Sequence, residues 1–496
     1  MLEFSFEVKG SDLLGRIGTL KVGGKTIETP YMFPVIHPVH QLVTTSELKS
    51  MGFTGLMTNS YILHSKRRQE AIDKGIHSLL DFDGVFITDS GGYQVLEYGA
   101  IKIGYRDVAS FQSEIGTELA VTLDKPTGYP QSRRVARETV EYSLKNARAT
   151  LKEFGDEEIV WVGPIQGGLY RDLVRRSAKS LVSSGFVFLA LGSPVQVMES
   201  YMFSDLVDMI MAARRGIPYP VPLHLFGAGH PLTMSLAVAL GCDTFDSASY
   251  AIFARTGRYM SKNGVLTLQS MKYLPCSCSV CTKASVKDLL ELSQAERTKA
   301  LSIHNLYALR EELEACKEAI AEGRLWDLVE ERSTAHPKLR DAFAQLVGYA
   351  GDLEIGTPAM KDRGLFVRST LDLRRPELVI SARKLANATT RTSKNAAIID
   401  TKRKLGRRSD DDPYLVHQIL GPYPAELEFQ YPFSQTEVAR AQVQFGVEEA
   451  KRKLTALGYT RVAVGREKKL RRTAVRSRRT RRASSPSPPA SSAPPR

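Results

Sequence analysis

Between Thr54 and Ser249 the chain keeps returning to one unit: a short apolar run, a polar or glycine-containing turn, then a segment with helical periodicity. The strand-like runs are Thr54 to Met57, Gly84 to Ile87, Leu119 to Leu123, Val160 to Ile165, Phe186 to Leu191, Pro222 to Phe226 and Thr244 to Phe245. Helix-like segments such as Arg133 to Phe154, Arg171 to Ser184, Tyr201 to Arg215 and Pro231 to Leu240 lie between them. So many alternations with short apolar strands imply a parallel sheet buried on both faces. Closed into a barrel or left open as a doubly wound sheet, it places its active site at the carboxyl ends of the strands.

The residues at or just after those ends are Asn59, Asp89, Asp124, Gln166, Gly192, Gly227 and Asp246. Acids and amides together can read the hydrogen-bonding edge of a heterocycle, and glycines let a ligand approach the backbone closely. Two stretches stand out, Thr88-Asp89-Ser90-Gly91-Gly92-Tyr93-Gln94 and Phe245-Asp246-Ser247-Ala248-Ser249-Tyr250, because each puts an aspartate where a strand gives way to a loop. Taken singly, each reads equally well as an ordinary turn, since Asp, Ser and Gly are common turn formers. The whole set at strand ends is what points to a site.

Five cysteines are an odd count for a disulfide framework, and three of them crowd into Pro275-Cys276-Ser277-Cys278-Ser279-Val280-Cys281, with His304 following in a helix-like stretch. Three thiolates and an imidazole make a closed tetrahedral set, which suits a structural metal; buried free thiols are the alternative. Cys242 and Cys316 stand apart and read as core or surface thiols. His37-Pro38-Val39-His40 offers two histidines but no further ligand nearby, so a structural or substrate-contacting role is expected there. Phe226-Gly227-Ala228-Gly229-His230 has the form of a phosphate cradle before a helix, a common pattern among strand-to-helix turns.

A chain of 496 residues, 43% hydrophobic and 25% charged, is expected to form one large domain with smaller attachments. The turn-rich stretch from Gly351 to about Tyr459 reads as an accessory module of short strands, which gives expected boundaries of 1–350, 351–463 and 464–496. About nine of the +14 formal charges lie beyond Arg466, and the last stretch is Ser, Pro and Ala, so the tail is expected to be a disordered basic arm attracted to phosphate backbones, or simply a solvated tail. Lys402-Arg403-Lys404-Leu405-Gly406-Arg407-Arg408 is a second basic run, either a nucleic-acid contact or a solvated loop. No apolar run approaches the ~18 residues of a membrane span and the amino terminus lacks the regions of a signal peptide, so a cytoplasmic location without membrane contact is expected.

Asp89-Ser90-Gly91-Gly92-Tyr93-Gln94, the Gln166-Gly167-Gly168 turn, the strand end at Gly192, Phe226-Gly227-Ala228-Gly229-His230-Pro231 and the Cys276/Cys278/Cys281/His304 set together resemble the tRNA-guanine transglycosylases. The version Phe245-Asp246-Ser247-Ala248-Ser249-Tyr250 is similar to the archaeal, archaeosine-forming branch. The likeness runs from about Phe33 to Val347 and more weakly through Gly421-Pro422-Tyr423-Pro424. It implies a (β/α)8 TIM barrel with an inserted zinc-binding subdomain, a smaller α+β carboxyl-terminal domain, and one structural Zn2+ on Cys276, Cys278, Cys281 and His304. The implied reaction exchanges guanine at position 15 of the tRNA D-arm for 7-cyano-7-deazaguanine without ATP. Carried over by motif, Asp246 attacks the ribose and holds a covalent intermediate while Asp89 handles the proton, the family allowing either order. Asp124 and Gln166 read the purine edge, Gly192 and Ser193 contact it, Tyr93 stacks on one face, and Phe226 and Gly227 border the other. A homodimer is implied as well. The longer archaeal enzymes end in a PUA domain; here the basic tail occupies that place, and either the tail supplies charge-driven tRNA affinity or a separate PUA-bearing protein assists.

Three rivals share parts of this pattern. A related transglycosylase acting on DNA would keep the barrel and both aspartates. A non-catalytic tRNA-binding subunit is disfavoured because Asp89, Asp124 and Asp246 are all present. A metal-dependent hydrolase would need an open metal site, and the sequence offers none.

Overall fold

A computed structural model of the chain describes residues 2–92, 103–388, 391–399 and 410–464. Tyr93, the basic run from Lys402 to Arg408 and the tail beyond Val464 fall outside the described residues. The first three strands, β1 (Phe4–Asp12), β2 (Gly15–Val22) and β3 (Lys25–Thr29), form an antiparallel sheet. Eight parallel strands then close into a barrel: β4 (Tyr31–Ile36), β5 (Gly55–Asn59), β6 (Val85–Asp89), β7 (Leu119–Val121), β8 (Val160–Ile165), β9 (Phe188–Leu191), β10 (Leu223–Leu225) and β11 (Thr244–Ser247). The closing pair is β11 with β4, in the register Asp246 opposite Phe33. The choice between an open and a closed sheet is thus settled as the (β/α)8 barrel.

Seven of these strands match the apolar runs read from the sequence; β4 does not, and the reason is Pro34 in its middle. Proline donates no ladder hydrogen bond and argues against a central strand, yet here it pairs in register with Ser247 at the seam of the barrel. The amino-terminal sheet was likewise not read from the sequence. Its Leu20, Val22 and Ile27 join Phe33, Met57, Val85, Ile87, Leu119, Val121, Val160, Val162, Phe188 and Ala190 in one buried cluster. Because Val85 and Val160 open their strands, β1 to β3 cover the amino end of the barrel and the interior beneath the opposite rim is solid apolar packing. A second, larger cluster fills the space between the strands and the surrounding helices.

Helix starts fix the strand ends that face the other way. Asn59 caps the helix Ser60–Leu80 by accepting from the Ile62 N–H, and Ser132 caps Arg133–Phe154 in the same manner. After β11 a short helix, Ser249–Arg255, leads to the hairpin Arg258–Ser261 with Gly264–Thr267, the cysteine-bearing loop, and the long helix Gln294–Ala321 that carries His304. No helix among the described residues is long and apolar enough to cross a membrane.

The chain divides into two compact units. The first holds the barrel and continues to residue 389, with 418–420 and 427–444 added; in it Leu365–Val367 pairs in parallel with Thr436–Val438. A buried ionic cluster lies within this unit: Lys361 donates to Asp12 at 2.8 Å and to Glu377 at 2.6 Å, and Arg375 to Asp327 at 3.0 Å. The second unit is a four-stranded sheet in the order Gly421–Pro424, Asp412–His417, Asn395–Ile398, Arg461–Val464, with the helix Val447–Ala456. That helix buries Ala450 and Leu454 against Ile398, Tyr414 and Tyr459.

Candidate active site

The carboxyl rim of the barrel opens into one cavity of about 1070 Å3, and its lining includes Asp89, Asp124, Gln166, Gly192, Ser193, Phe226, Gly227 and Asp246. Every site residue expected of the barrel, apart from the undescribed Tyr93, is therefore brought to one place. Asp89 is the last residue of β6. The Asn59 side-chain amide, from the end of the neighbouring β5, donates to both its oxygens at 2.8 and 2.9 Å, and the Gly91 N–H to Oδ1 at 2.6 Å. Burial pushes the Asp89 pKa up to about 7 against the pull of those donors, and the negative charges of Asp246 and Asp124 push the same way. A carboxyl poised there can give and take a proton near neutral pH.

Asp246 is held differently. Its Oδ1 accepts from the Gly227 N–H at 2.7 Å and lies 3.1 Å from His224 Nε2, while Oδ2 has no hydrogen bond among the described residues. Gly227 adopts φ +63°, a conformation that suits glycine and that turns its amide toward this carboxylate. The glycine-rich turn expected as a phosphate cradle thus spends one of its amides on Asp246, and His230 caps the helix Pro231–Ala239 by accepting from the Leu232 N–H.

Beside the two acids lies a notch of fixed hydrogen-bonding groups. Gln166 Nε2 donates to Asp124 Oδ2 at 2.6 Å, and Ser90 Oγ reaches Asp124 Oδ1 at 3.3 Å. The Gln166 carbonyl accepts from the Thr127 N–H at 3.0 Å and from Ser193 Oγ at 2.9 Å, which fixes which end of its amide faces Asp124. Burial pushes the Asp124 pKa up to about 6 although Gln166 and Ser90 pull it down. A Cβ on Gly192 would sit 2.2 Å from Gln166 Nε2, so only glycine lets that amide lie across the strand end. Ser193 has φ +65°, unusual for a non-glycine residue, and its Oγ steadies the turn by accepting from the Thr127 N–H at 2.9 Å.

Two residues of this rim were not assigned roles from the sequence. Asn59 was visible only as a strand end, and its hold on Asp89 depends on the register that places the two opposite one another. His224 left a clearer signal, a histidine inside the apolar run from Pro222 to Phe226. It is fully buried, with Thr244 Oγ1 2.9 Å from Nδ1.

The cysteine cluster forms a separate centre. One ligand atom each from Cys276, Cys278, Cys281 and His304 lies within 4.8 Å of all the others, so the group could hold a metal ion. His304 Nδ1 is 3.6 and 3.5 Å from the Cys278 and Cys281 sulfurs, close to the edge of a tetrahedron with metal–ligand bonds of about 2.0–2.3 Å. Its Nε2 lies 2.9 Å from the Met260 carbonyl, which leaves Nδ1 for ligation. His37 and His40 form no such group: the His37 Nδ1 accepts the N–H groups of Val39 and His40, and the two rings stack 5.2 Å apart.

A parallel barrel that turns two buried acids and an acid–amide notch into one cavity has the parts of a glycosyl-transferring enzyme. Comparison with known proteins agrees. The family profile described as queuine tRNA-ribosyltransferase matches residues 12–338, and the chain belongs to that family of pentosyltransferases. The tRNA-guanine(15) transglycosylase of Thermococcus kodakarensis is 42% identical over 439 residues, 88% of this chain and 72% of that protein. Those of Saccharolobus solfataricus and Methanopyrus kandleri are 39% and 38% identical, covering 90% and 87% of this chain and 93% and 95% of their own lengths.

Proposed function

We propose that this protein is a tRNA-guanine(15) transglycosylase, which exchanges guanine in the tRNA D-arm for 7-cyano-7-deazaguanine as a step toward archaeosine. The observation that carries the reading is the pair Asp89 and Asp246 facing one cavity beside the Asp124–Gln166 notch; the named relatives support the choice of nucleic acid and position. In this reading Asp246 Oδ2 attacks the ribose C1′. The C1′–N9 bond breaks, its electron pair goes to the departing guanine, and Asp89 supplies the proton. The incoming base then returns a proton to Asp89 as its nitrogen bonds C1′ and the ester electrons return to Asp246, so the configuration at C1′ is retained.

The contrast between the acids favours these roles: burial pushes the Asp89 pKa up to about 7 and both its oxygens have donors, whereas Asp246 Oδ2 has no hydrogen bond among the described residues. Asp124 and Gln166 hydrogen-bond the purine edge, with Gly192 and Ser193 beneath it and Phe226 and Gly227 at its border. Tyr93 stacks on the extruded base, which must leave its helical stack before reaction. A single Zn2+ on Cys276, Cys278, Cys281 and His304 has a structural role, and a homodimer in the cytoplasm is the expected working form. The basic segments add charge-driven tRNA affinity.

The test is mass spectrometry of nucleosides from tRNA incubated with the protein and 7-cyano-7-deazaguanine. The deazaguanosine is expected at position 15 of tRNA and absent from duplex DNA treated in parallel. Modification of DNA alone, or of neither polymer, would overturn the proposal.

A further inference from the structure

His224 and Thr244 are buried polar residues that the proposed chemistry does not yet use. They face each other in the β10–β11 register, His224 opposite Thr244, so Thr244 and Asp246, two residues apart, share a face of β11. Side chains so placed stand about 6–7 Å apart along a strand. An imidazole reaches both, because its two nitrogens point in divergent directions: Nδ1 lies 2.9 Å from Thr244 Oγ1 and Nε2 3.1 Å from Asp246 Oδ1. The rings of Phe226 and Phe33, with centroids 5.0 and 6.2 Å away, flank the imidazole.

We propose that His224 is a positioning residue, its tautomer set by Thr244, which anchors Asp246 Oδ1 so that Oδ2 is the attacking oxygen and the ester to ribose is released promptly. This rests on the reading of Asp246 as nucleophile. An ionised carboxylate only accepts, so a hydrogen bond at Nε2 requires the proton to sit there. In the neutral imidazole Nδ1 then carries a lone pair and accepts the Thr244 hydroxyl proton. The result is a directed chain, Thr244 O–H to Nδ1 and Nε2–H to Oδ1, which the Gly227 N–H completes from the other side.

The chain acts unequally on the two halves of the reaction. When Oδ2 bonds C1′ the aspartate loses its charge and Oδ1 becomes an ester carbonyl, so both donors weaken. When the incoming base displaces the ester, charge returns to the carboxylate and the donors strengthen, stabilising Asp246 as a leaving group. Loss of the histidine donor therefore slows release more than attack, and covalent RNA accumulates.

The experiment compares full-length wild type, His224→Phe, His224→Gln and Thr244→Val for kcat and tRNA KM. It also measures the fraction of enzyme bound covalently to tRNA after denaturation during steady-state exchange of labelled guanine. His224→Phe is expected to lower kcat about 30-fold, the scale of one hydrogen bond to a charged group, with tRNA KM falling alongside it so that kcat/KM changes far less than kcat, and with a larger covalent fraction. His224→Gln, which can return an amide N–H to the Nε2 position, should recover about tenfold of the loss, and Thr244→Val should cost about threefold. Wild-type kcat and covalent fraction in His224→Phe would overturn the inference, as would a loss that the glutamine does not relieve and that leaves the covalent fraction unchanged. If wild type forms no covalent complex, or Asp246→Asn still exchanges guanine, it is the underlying reading that fails.

Discussion

Asp89 ends β6 with donors spread over both its oxygens, whereas Asp246 sits inside β11 with its donors gathered on Oδ1. The side chains are chemically identical and line the same cavity, so the difference between them is made by neighbours: an asparagine and a glycine for one, a histidine and a glycine for the other. Spreading the donors leaves Asp89 bonded yet still buried enough to be reluctant to ionise. Gathering them leaves Asp246 one oxygen with no hydrogen bond among the described residues. That contrast is what supports the proposed division of labour, with Asp89 moving a proton and Asp246 forming a bond.

The largest expected effect comes from removing the proposed nucleophile: Asp246→Asn should lower guanine exchange at least about 10⁴-fold and abolish the denaturation-resistant tRNA complex. Asp89→Asn should cost about 10³-fold, the scale of a lost general acid–base, and still yield some covalent complex on long incubation. Equal losses with neither complex detectable would erase the distinction. A stability measurement checks the same contrast. Because the folded Asp89 pKa is raised to about 7, the folded protein holds a proton that the unfolded chain has released between about pH 4 and 7, and stability falls as pH rises through that window. Asp89→Asn removes this dependence, so its unfolding temperature should gain on wild type between pH 4 and pH 8.

Asn59→Ala sharpens the comparison at smaller cost. The Asn59 hydrogen bonds lower the Asp89 pKa, so their loss should raise it and move the alkaline limb of kcat/KM, where the proton-donating form is lost, to higher pH. Exchange should fall about tenfold, and a limb that stays in place would argue that Asp89 is not the group being titrated. The smallest effect on the rim should follow removal of metal from the cysteine cluster. A chelator is expected to lower the unfolding temperature by roughly 5 °C or more while leaving that limb unmoved, with metal content followed by emission spectroscopy.

What could be read in the chain and what could not divide along physical lines. Strand ends were legible because alternating apolar runs and turns are local signals, and they delivered Asp89, Asp124, Gln166, Gly192 and Asp246 to the rim. The cysteine cluster was legible for the same reason, since three of its ligands are neighbours in sequence. The holds on those residues were not. His224 meets Asp246 across 22 positions and Asn59 meets Asp89 across 30, and both contacts exist only once strand register is set. β4 was hidden by Pro34, a local signal that the closure of the barrel overrides. The pairing of Lys361 with Asp12, 349 residues apart, leaves no local trace at all.

The sheet packed under the barrel has a consequence for traffic. With Leu20, Val22 and Ile27 filling the far end, the described residues leave one doorway, at the carboxyl rim, for both the departing base and the arriving base of the proposed exchange. In the proposed reaction they would take turns through it while the RNA waits, moored to the protein, which makes a two-stroke exchange a matter of plumbing as much as of chemistry.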